Sequence, residues 1–555
     1  MQLLFNRGII NGDKNDPEKI REFLEPDFVK DTFDPYLIKG MKKAVGLIKG
    51  CPGKIGIFAD FDVDGVTSST LLAGALKKIN KPFEIFIPLR SEGYGLNKKG
   101  IDELKSSGCE LLVTVDMGIS AVEEIAYAHK LGMKIAVLDH HEPGKILPKA
   151  DALIDLKLNQ DEYPFKELSA GGLVFKLLQA LSKEYPKNID LKFLKWSLDL
   201  TAISTICDVV PLSGENRTLA KYGLIVLSKS RRPGLLSLYQ AARIEPRKID
   251  AYVVGFLIGP RLNAPGRIDS ANLSSCLLLT EDEKEAADCA LKLNKMNVDR
   301  QEILRKSLVF AKEKIIEEKL TNEKIIVLKD KSWPEGIVGL IAGQIKEEFS
   351  RPALIFSEGE ESSRGSARSI DEFDIVSAMR KFQDLFEAVG GHKKAAGATI
   401  KNENYLKLKK GLEKLALEKI SEEDIQSKIK VDKELRVADL TMKLARELKK
   451  FEPAGMGNPR PTFMIKRLEL VSFRTVGKEN KHLKMSFKID NHKLTAELEN
   501  PDEASTIYLS AIHFNGAHHL PNLKIGDKLD LVFGLEINEW NNRENLELKI
   551  LDLKK

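Results

Sequence analysis

The chain has 555 residues, with 87 Lys and Arg against 82 Asp and Glu, for a formal net charge of +5. At roughly 150 residues per domain this length predicts three or four domains. With 43% apolar and 30% charged residues the composition is that of a soluble globular protein, not of a disordered, collagen-like or disulfide-stapled chain. The balanced charge argues against a histone-like binder but leaves room for a local basic groove.

The first residues, MQLLFNRGIINGDK, lack the basic start and apolar core of a secretory signal. No apolar run reaches the roughly 18–20 residues that span a bilayer; the longest, 251–259, stops at Pro260 and Arg261. Cys51, Cys109, Cys207, Cys276 and Cys289 form no CxxC pair, so buried reduced thiols and a cytoplasmic location are expected, with no membrane association.

Residues 1–45 read as a mixed helical segment. From about residue 46 to 280, short runs rich in Ile, Val, Phe and Leu (55–59, 83–88, 111–116 and 134–139) alternate with helical patterns such as 120–131. This alternation predicts βαβ units around a parallel sheet. Residues 281–320, charged and free of Pro and Gly, predict a long connecting helix. A smaller α/β unit is expected over 321–420, with strands at 325–328, 353–356 and 395–400, and a charged helical linker over 421–452. At Pro453 the texture changes to PAGMGNPRPTF, a boundary signal. Five alternating segments then follow, at 463–473, 483–489, 505–512, 528–537 and 545–551, and predict an OB-like β-barrel over 453–555.

The chemistry concentrates at the predicted strand ends. Asp60, Asp62 and Asp64 alternate just past the first run, and three carboxylates brought together repel one another unless cations neutralise them. Hard ions such as Mg²⁺ or Mn²⁺ favour such oxygen donors. An EF-hand is disfavoured because its twelfth position, counted from Asp60, is Leu71. Asp116-Met117-Gly118 ends the third run and Asp139-His140-His141 the fourth; Asp208 stands alone in the apolar segment 206–212. In an open α/β sheet, ligands bind outside the carboxyl ends of the strands, so these groups are expected at one rim.

Together these motifs resemble the DHH phosphoesterase superfamily. Further residues narrow the resemblance to the RecJ family of single-strand-specific DNA exonucleases: the segments 90–96 and 259–267, Trp333-Pro334-Glu335-Gly336, Ser366-Ala367-Arg368-Ser369 and Gly390-Gly391-His392-Lys393-Lys394. The Gly-Gly-His run is typical of the DHHA1 domain that accompanies DHH domains. The resemblance covers roughly residues 45–555. It implies a parallel-sheet DHH domain joined by a long helix to a smaller α/β DHHA1 domain, plus the OB-like barrel.

It also implies one or two Mn²⁺ or Mg²⁺ ions in the cleft between the DHH and DHHA1 domains. The ligands would be Asp60, Asp62, Asp64, Asp116, His140 and Asp208, with Asp139 and His141 beside them. Asp116 would be the shared ligand, His141 the group touching the scissile phosphate, and Asp62, Asp116, His140 and His141 the catalytic set. Phe58 stands where small-substrate relatives carry a histidine, four residues before Asp62; either one ion has fewer protein ligands or Asp60 fills in. Arg90, Arg267, Ser366, Arg368, Gly391 and His392 are candidate phosphate contacts, with Arg90, Ser366 and Arg368 forming a pocket for a 5′-terminal phosphate. The implied activity is 5′→3′ hydrolysis of single-stranded DNA to mononucleotides, in repair and recombination. Single-strand-binding protein and a helicase are expected as partners from the family alone. The alternatives are a phosphodiesterase for short oligonucleotides or cyclic dinucleotides, and a non-catalytic strand-binding replication factor of the same fold.

Overall fold

The computed structural model describes residues 1–11, 16–93, 95–268, 271–489, 507–540 and 543–555. Three sheets organise the chain. In the first, β1 (Lys54–Ala59), β2 (Phe83–Phe86), β3 (Cys109–Val115), β4 (Lys134–Leu138) and β5 (Ala152–Ile154) run parallel in the order β2-β1-β3-β4-β5. The order reverses direction between β1 and β3, which opens a crevice at their carboxyl ends. Helices α1 (Met41–Gly50), α2 (Val63–Lys78), α3 (Ala170–Glu184), α4 (Leu191–Cys207) and α5 (Gly214–Leu227) pack into the same apolar core as one face of this sheet. The strand runs expected from sequence are all present; β5, only three residues long, was not expected.

Helix α6 (Glu283–Glu317) is continuous over 35 residues, about 50 Å at 1.5 Å per residue. It leads to a mixed sheet of β6 (Ile326–Asp330), β7 (Ala353–Glu358), β8 (Ser362–Arg368), β9 (Phe386–His392) and β10 (Ala395–Lys401), in the order β6-β7-β8-β10-β9. Helix α7 (Glu335–Phe349) packs on β7 and β8.

The expected helical linker over 421–452 is corrected. Residues 421–432 hold no helix, β11 (Lys433–Glu434) pairs with Phe463 and Met464, and the only α-helix in 421–452 is Met442–Lys449. Charged composition alone favours a helix there, but 421–432 has no apolar stripe long enough to dock one, and isolated short helices are marginal.

The last sheet closes. Strands β12 (Phe463–Val476), β13 (His482–Ile489), β14 (Ile507–His513), β15 (Lys528–Trp540) and β16 (Arg543–Lys554) run in the order β12-β13-β14-β16-β15, and β12 also pairs with β15. That is the five-stranded barrel expected from sequence, although 505–506 of the third predicted strand lie outside the described residues. Phe463 and Phe487 point into the barrel core.

The barrel is locked to the first domain. Arg217 of α5 is buried and donates to five backbone carbonyls, those of Phe23 (2.6 Å), Lys450 (2.9 Å), Phe451 (3.1 Å), Glu452 (2.9 Å) and Pro453 (3.3 Å). Burial pulls its pKa down to about 10, and the carbonyl dipoles take the place of water around the charge. Arg7 adds an ion pair to Asp432 at 2.8 Å, so the N-terminal segment is stitched to the barrel.

Candidate active site

Strand β1 ends at Ala59 and delivers Asp60 to the crevice, buried, with Oδ1 lacking any hydrogen-bond partner. Asp62 caps α2, accepting from the amides of Asp64 (2.9 Å) and Gly65 (3.1 Å). The helix can start this close only because residue 65 is glycine: a Cβ there would lie 2.3 Å from the Asp60 carbonyl oxygen. Asp64, inside the first turn, accepts from the amides of Ala170 (2.8 Å) and Gly171 (3.0 Å) at the start of α3 and from the Ser204 hydroxyl. The positive end of α3 therefore faces this carboxylate.

Asp116 follows β3 with a left-handed backbone (φ 64°), a conformation Asp tolerates better than most residues. Its amide donates to Leu138 O at 3.0 Å, which ties it to the end of β4. After β4, Asp139 accepts from the amides of Ile119 (2.8 Å), His140 (2.8 Å) and His141 (3.1 Å), and from His141 Nδ1 (2.7 Å). His140 Nε2 lies 3.1 Å from Asp116, 3.7 Å from Asp64 and 3.7 Å from Asp208. Asp208 arrives from another direction, as the residue that ends α4.

These donors form three overlapping groups whose ligand atoms all lie within 4.8 Å of one another: Asp60–Asp62–Asp116, Asp64–His140–Asp208 and Asp116–His140–His141. Asp116 and His140 each belong to two of them. Burial, then repulsion from Asp62, pushes the Asp60 carboxyl well up; burial and Asp64 raise Asp62. Burial and the four neighbouring carboxylates push Asp116 well up, and burial with Asp64 and Asp62 lifts Asp208 to about 9. So many buried acids are not at ease as anions by themselves, and the orphaned Oδ1 of Asp60 needs a partner. The donor set of carboxylate oxygens plus imidazole fits divalent cations such as Mn²⁺ or Mg²⁺.

Asp139 differs. Burial pushes it up, but the His141 ring and the amides of Ile119 and His141 outweigh that, and it sits below the usual carboxylate range. Burial lowers His141 and Asp139 more than compensates, so His141 is raised; His140, dominated by burial, is lowered. Phe58 points away from the cluster, packed against Phe86 with ring centroids 4.9 Å apart in an apolar core.

Arg90 stands between the carboxylates and a second feature. Its guanidinium covers the Phe61 ring at 4.5 Å and donates to Gly266 O at 2.9 Å. Burial lowers its pKa, partly offset by Asp60, Asp62 and Glu335. It lines a 750 Å³ cavity shared with Glu335, Gly339, Arg364, Ser366 and Arg368. Arg368 Nη1 donates to Ser366 Oγ at 3.1 Å and to Ala367 O at 2.8 Å. Burial lowers the Arg368 pKa, and no carboxylate pairs with it among the described residues. A smaller cavity of 270 Å³ is lined by His140, His141, Lys157, Asp208 and His392. Gly391 and His392 lie on β9, and Gly391 (φ 137°) leaves no room for a side chain, since a Cβ would sit 2.4 Å from Ala395 O.

The structure thus gathers every metal-ligand candidate at one rim and places Arg90, Ser366 and Arg368 in one cavity. Arg267 belongs to the short helix Pro265–Ile268, and its side chain lies outside the described residues. Sequence reasoning missed Ser204 and the Ala170 and Gly171 amides that hold Asp64. It also missed Lys157, Glu335 and Arg364 on the cavity walls. Of these, only Glu335 carried a local signal, within the Trp333–Gly336 motif.

A switch-point carboxylate cluster facing an arginine-lined second domain defines the protein as a DHH–DHHA1 protein. Residues 54–205 match the DHH family N-terminal domain, 322–423 the DHHA1 domain and 431–552 the RecJ OB domain. The single-stranded-DNA-specific exonuclease RecJ of Haemophilus influenzae is 31% identical over 549 residues, spanning 94% of this chain and 92% of that protein. The chain therefore belongs to the RecJ family. Bacillus subtilis RecJ is 35% identical over 528 residues, and there the match spans 94% of this chain but 64% of the relative. The crystal structure of RecJ from Thermus thermophilus in complex with Mn²⁺ superposes with a TM-score of 0.81 at 27% identity, covering 100% of this chain and 75% of that one.

Proposed function

We propose that the protein is a metal-dependent exodeoxyribonuclease that hydrolyses single-stranded DNA from the 5′ end and releases mononucleotides. The observation that carries this reading is Arg368, a half-buried guanidinium without a carboxylate partner among the described residues, in a cavity that Arg90 joins to Asp60 and Asp62. A half-buried cation whose partners are a hydroxyl and a carbonyl, with no carboxylate, beside open space suits an anion, and the fork of a guanidinium suits phosphate. The family's exonuclease names and the OB domain support the same substrate.

Asp60, Asp62, Asp64, Asp116, His140 and Asp208 would hold the divalent cations, with Asp116 shared between donor groups. Bound there, such cations supply charge neutralisation at the phosphodiester and a water acidic enough to ionise near neutral pH. His141, held by Asp139 and raised in pKa, donates to the scissile phosphate. Arg90 offsets negative charge as it develops between the two features. Ser366 and Arg368 anchor the terminal 5′-phosphate, which fixes how far the strand enters and hence the length released. His392 lines the same 270 Å³ cavity as Asp208 and His141 and offers a further phosphate contact there. The barrel receives the strand behind the scissile bond, as OB folds do.

Arg368→Ala tests the pocket. Losing a charge-assisted contact of this kind costs about 10–100-fold, so kcat/KM on 5′-phosphorylated strands should fall by that factor, with a much smaller change on 5′-hydroxyl strands. Equal loss on both would make Arg368 a general backbone contact and remove the basis for polarity.

A further inference from the structure

The short strand β5 has a cation just past its carboxyl end. Asp155, the residue after β5, is fully buried, and its Oδ1 accepts the Lys157 amide at 2.8 Å. Because β5 runs parallel to β4, this turn sets Lys157 on the rim where Asp60, Asp116 and Asp139 follow their own strands. The Lys157 side chain is 27% exposed and lines the 270 Å³ cavity that holds His140, His141, Asp208 and His392. It is the only Lys or Arg on that cavity's wall among the described residues. After burial, which dominates both, its charge is one of the influences that disfavour a proton on His140 and on Asp208, so the ammonium stands within electrostatic reach of the metal-ligand candidates.

Lys157 has one partner among the described residues, and it is a loose one. Nζ lies 3.2 Å from Glu142 Oε1, and the Glu142 side chain is 66% exposed. Exposed pairs of this kind hold weakly. A phosphodiester oxygen inside the cavity would meet the same ammonium with less water around it, where a charge-assisted contact is stronger. We propose that Lys157 is a phosphate-binding residue for the strand, held in reserve by Glu142. A phosphate entering beside His141 displaces Glu142 from the ammonium, and Glu142 recaptures the ammonium when the product leaves. This assignment rests on the strand-hydrolysis reading above.

The test measures kcat/KM of the full chain on 5′-phosphorylated oligo-dT at saturating Mn²⁺, over a series of KCl concentrations. Lys157→Met should lower kcat/KM about tenfold and make the slope of log kcat/KM against log [KCl] shallower by about 0.7, the share of one phosphate contact on a single strand. Lys157→Arg, which keeps the charge, should restore most of both. Glu142→Gln should raise kcat/KM about two- to fivefold, because it removes the competitor, and should change nothing in the Lys157→Met background. Hydrolysis by Lys157→Met with the wild-type slope and rate overturns the assignment alone. So does a Glu142→Gln variant that loses activity as Lys157→Met does, which would make the pair a structural strut. A wild-type chain that leaves oligo-dT intact overturns the nuclease reading and this assignment with it.

Discussion

Replacing Asp208 by Asn should make the metal-free protein more stable while removing its response to metal. In the unfolded chain this carboxyl ionises at the ordinary value of 3.8, whereas burial and the nearby Asp64 and Asp62 keep it protonated to about 9 in the fold. Between those values the unfolded state gives up a proton that the folded state retains, so stability falls as pH rises, by up to about 1.4 kcal/mol per unit. At pH 7 about three units have been crossed, which sets a ceiling of about 4 kcal/mol. The side chain is 21% exposed, and water reaching it brings the expected gain for Asp208→Asn to about 2 kcal/mol. Urea unfolding followed by tryptophan fluorescence reads this, because Trp196 lies on the same helix, α4. In EDTA the variant midpoint should exceed that of wild type at pH 7, and the gap should close toward pH 4. With Mn²⁺ present, wild type should gain stability and the variant little. A lower midpoint for the variant in EDTA would refute the reasoning, because it would mean that protein donors already satisfy the Asp208 anion.

Ser204→Ala should weaken Mn²⁺ affinity without changing the fold. The hydroxyl donates to Asp64 and accepts from the Gly171 amide at 3.1 Å, and losing such a supporting contact typically costs about 10–100-fold in metal affinity or activity; an unchanged Mn²⁺ titration would show that the α3 amides hold Asp64 by themselves. In the barrel, His513 is buried beside His519 and His518, and burial holds its pKa down at about 4. The unfolded chain binds that proton below 6.5 and the fold does not, so barrel stability should fall as pH drops from 6.5 toward 4. His513→Leu should flatten that slope; an identical slope in thermal melts would move the acid sensitivity elsewhere.

Much of the site was legible because Asp60, Asp116 and the Asp139-His140-His141 run each follow an apolar strand, and a strand ending in Asp is a local signal. Asp60, Asp116 and Asp139 announce themselves in that way. Asp208 does so differently, as one acid in an apolar run. The residues that hold these ligands left no such trace. Ser204 sits on α4, a helix buried on nearly all sides over residues 197–205, where a serine looks like any small core residue. The Ala170 and Gly171 amides are backbone groups and have no sequence signature at all. Strands β8 (SSRGSAR) and β9 (FEAVGGH) are half-exposed and poor in large apolar residues, so no alternation marks them, and pairing with β10 supplies what propensity lacks. Likewise Arg217 reads as an ordinary helical arginine until the fold brings five carbonyls around it.

A metal-dependent nuclease that grips a 5′ end makes a direct demand on how labelled strands shorten. Strands labelled at either end, incubated with the protein in Mn²⁺ or in EDTA, test it most directly, with Asp116→Ala as the catalytic control. The 5′ label should be released at once as a labelled mononucleotide and the 3′-labelled strand should shorten stepwise, with no hydrolysis in EDTA or with Asp116→Ala, although that variant still binds the strand. Release beginning at the 3′ end, hydrolysis that persists in EDTA, or substantial cleavage by Asp116→Ala would contradict it.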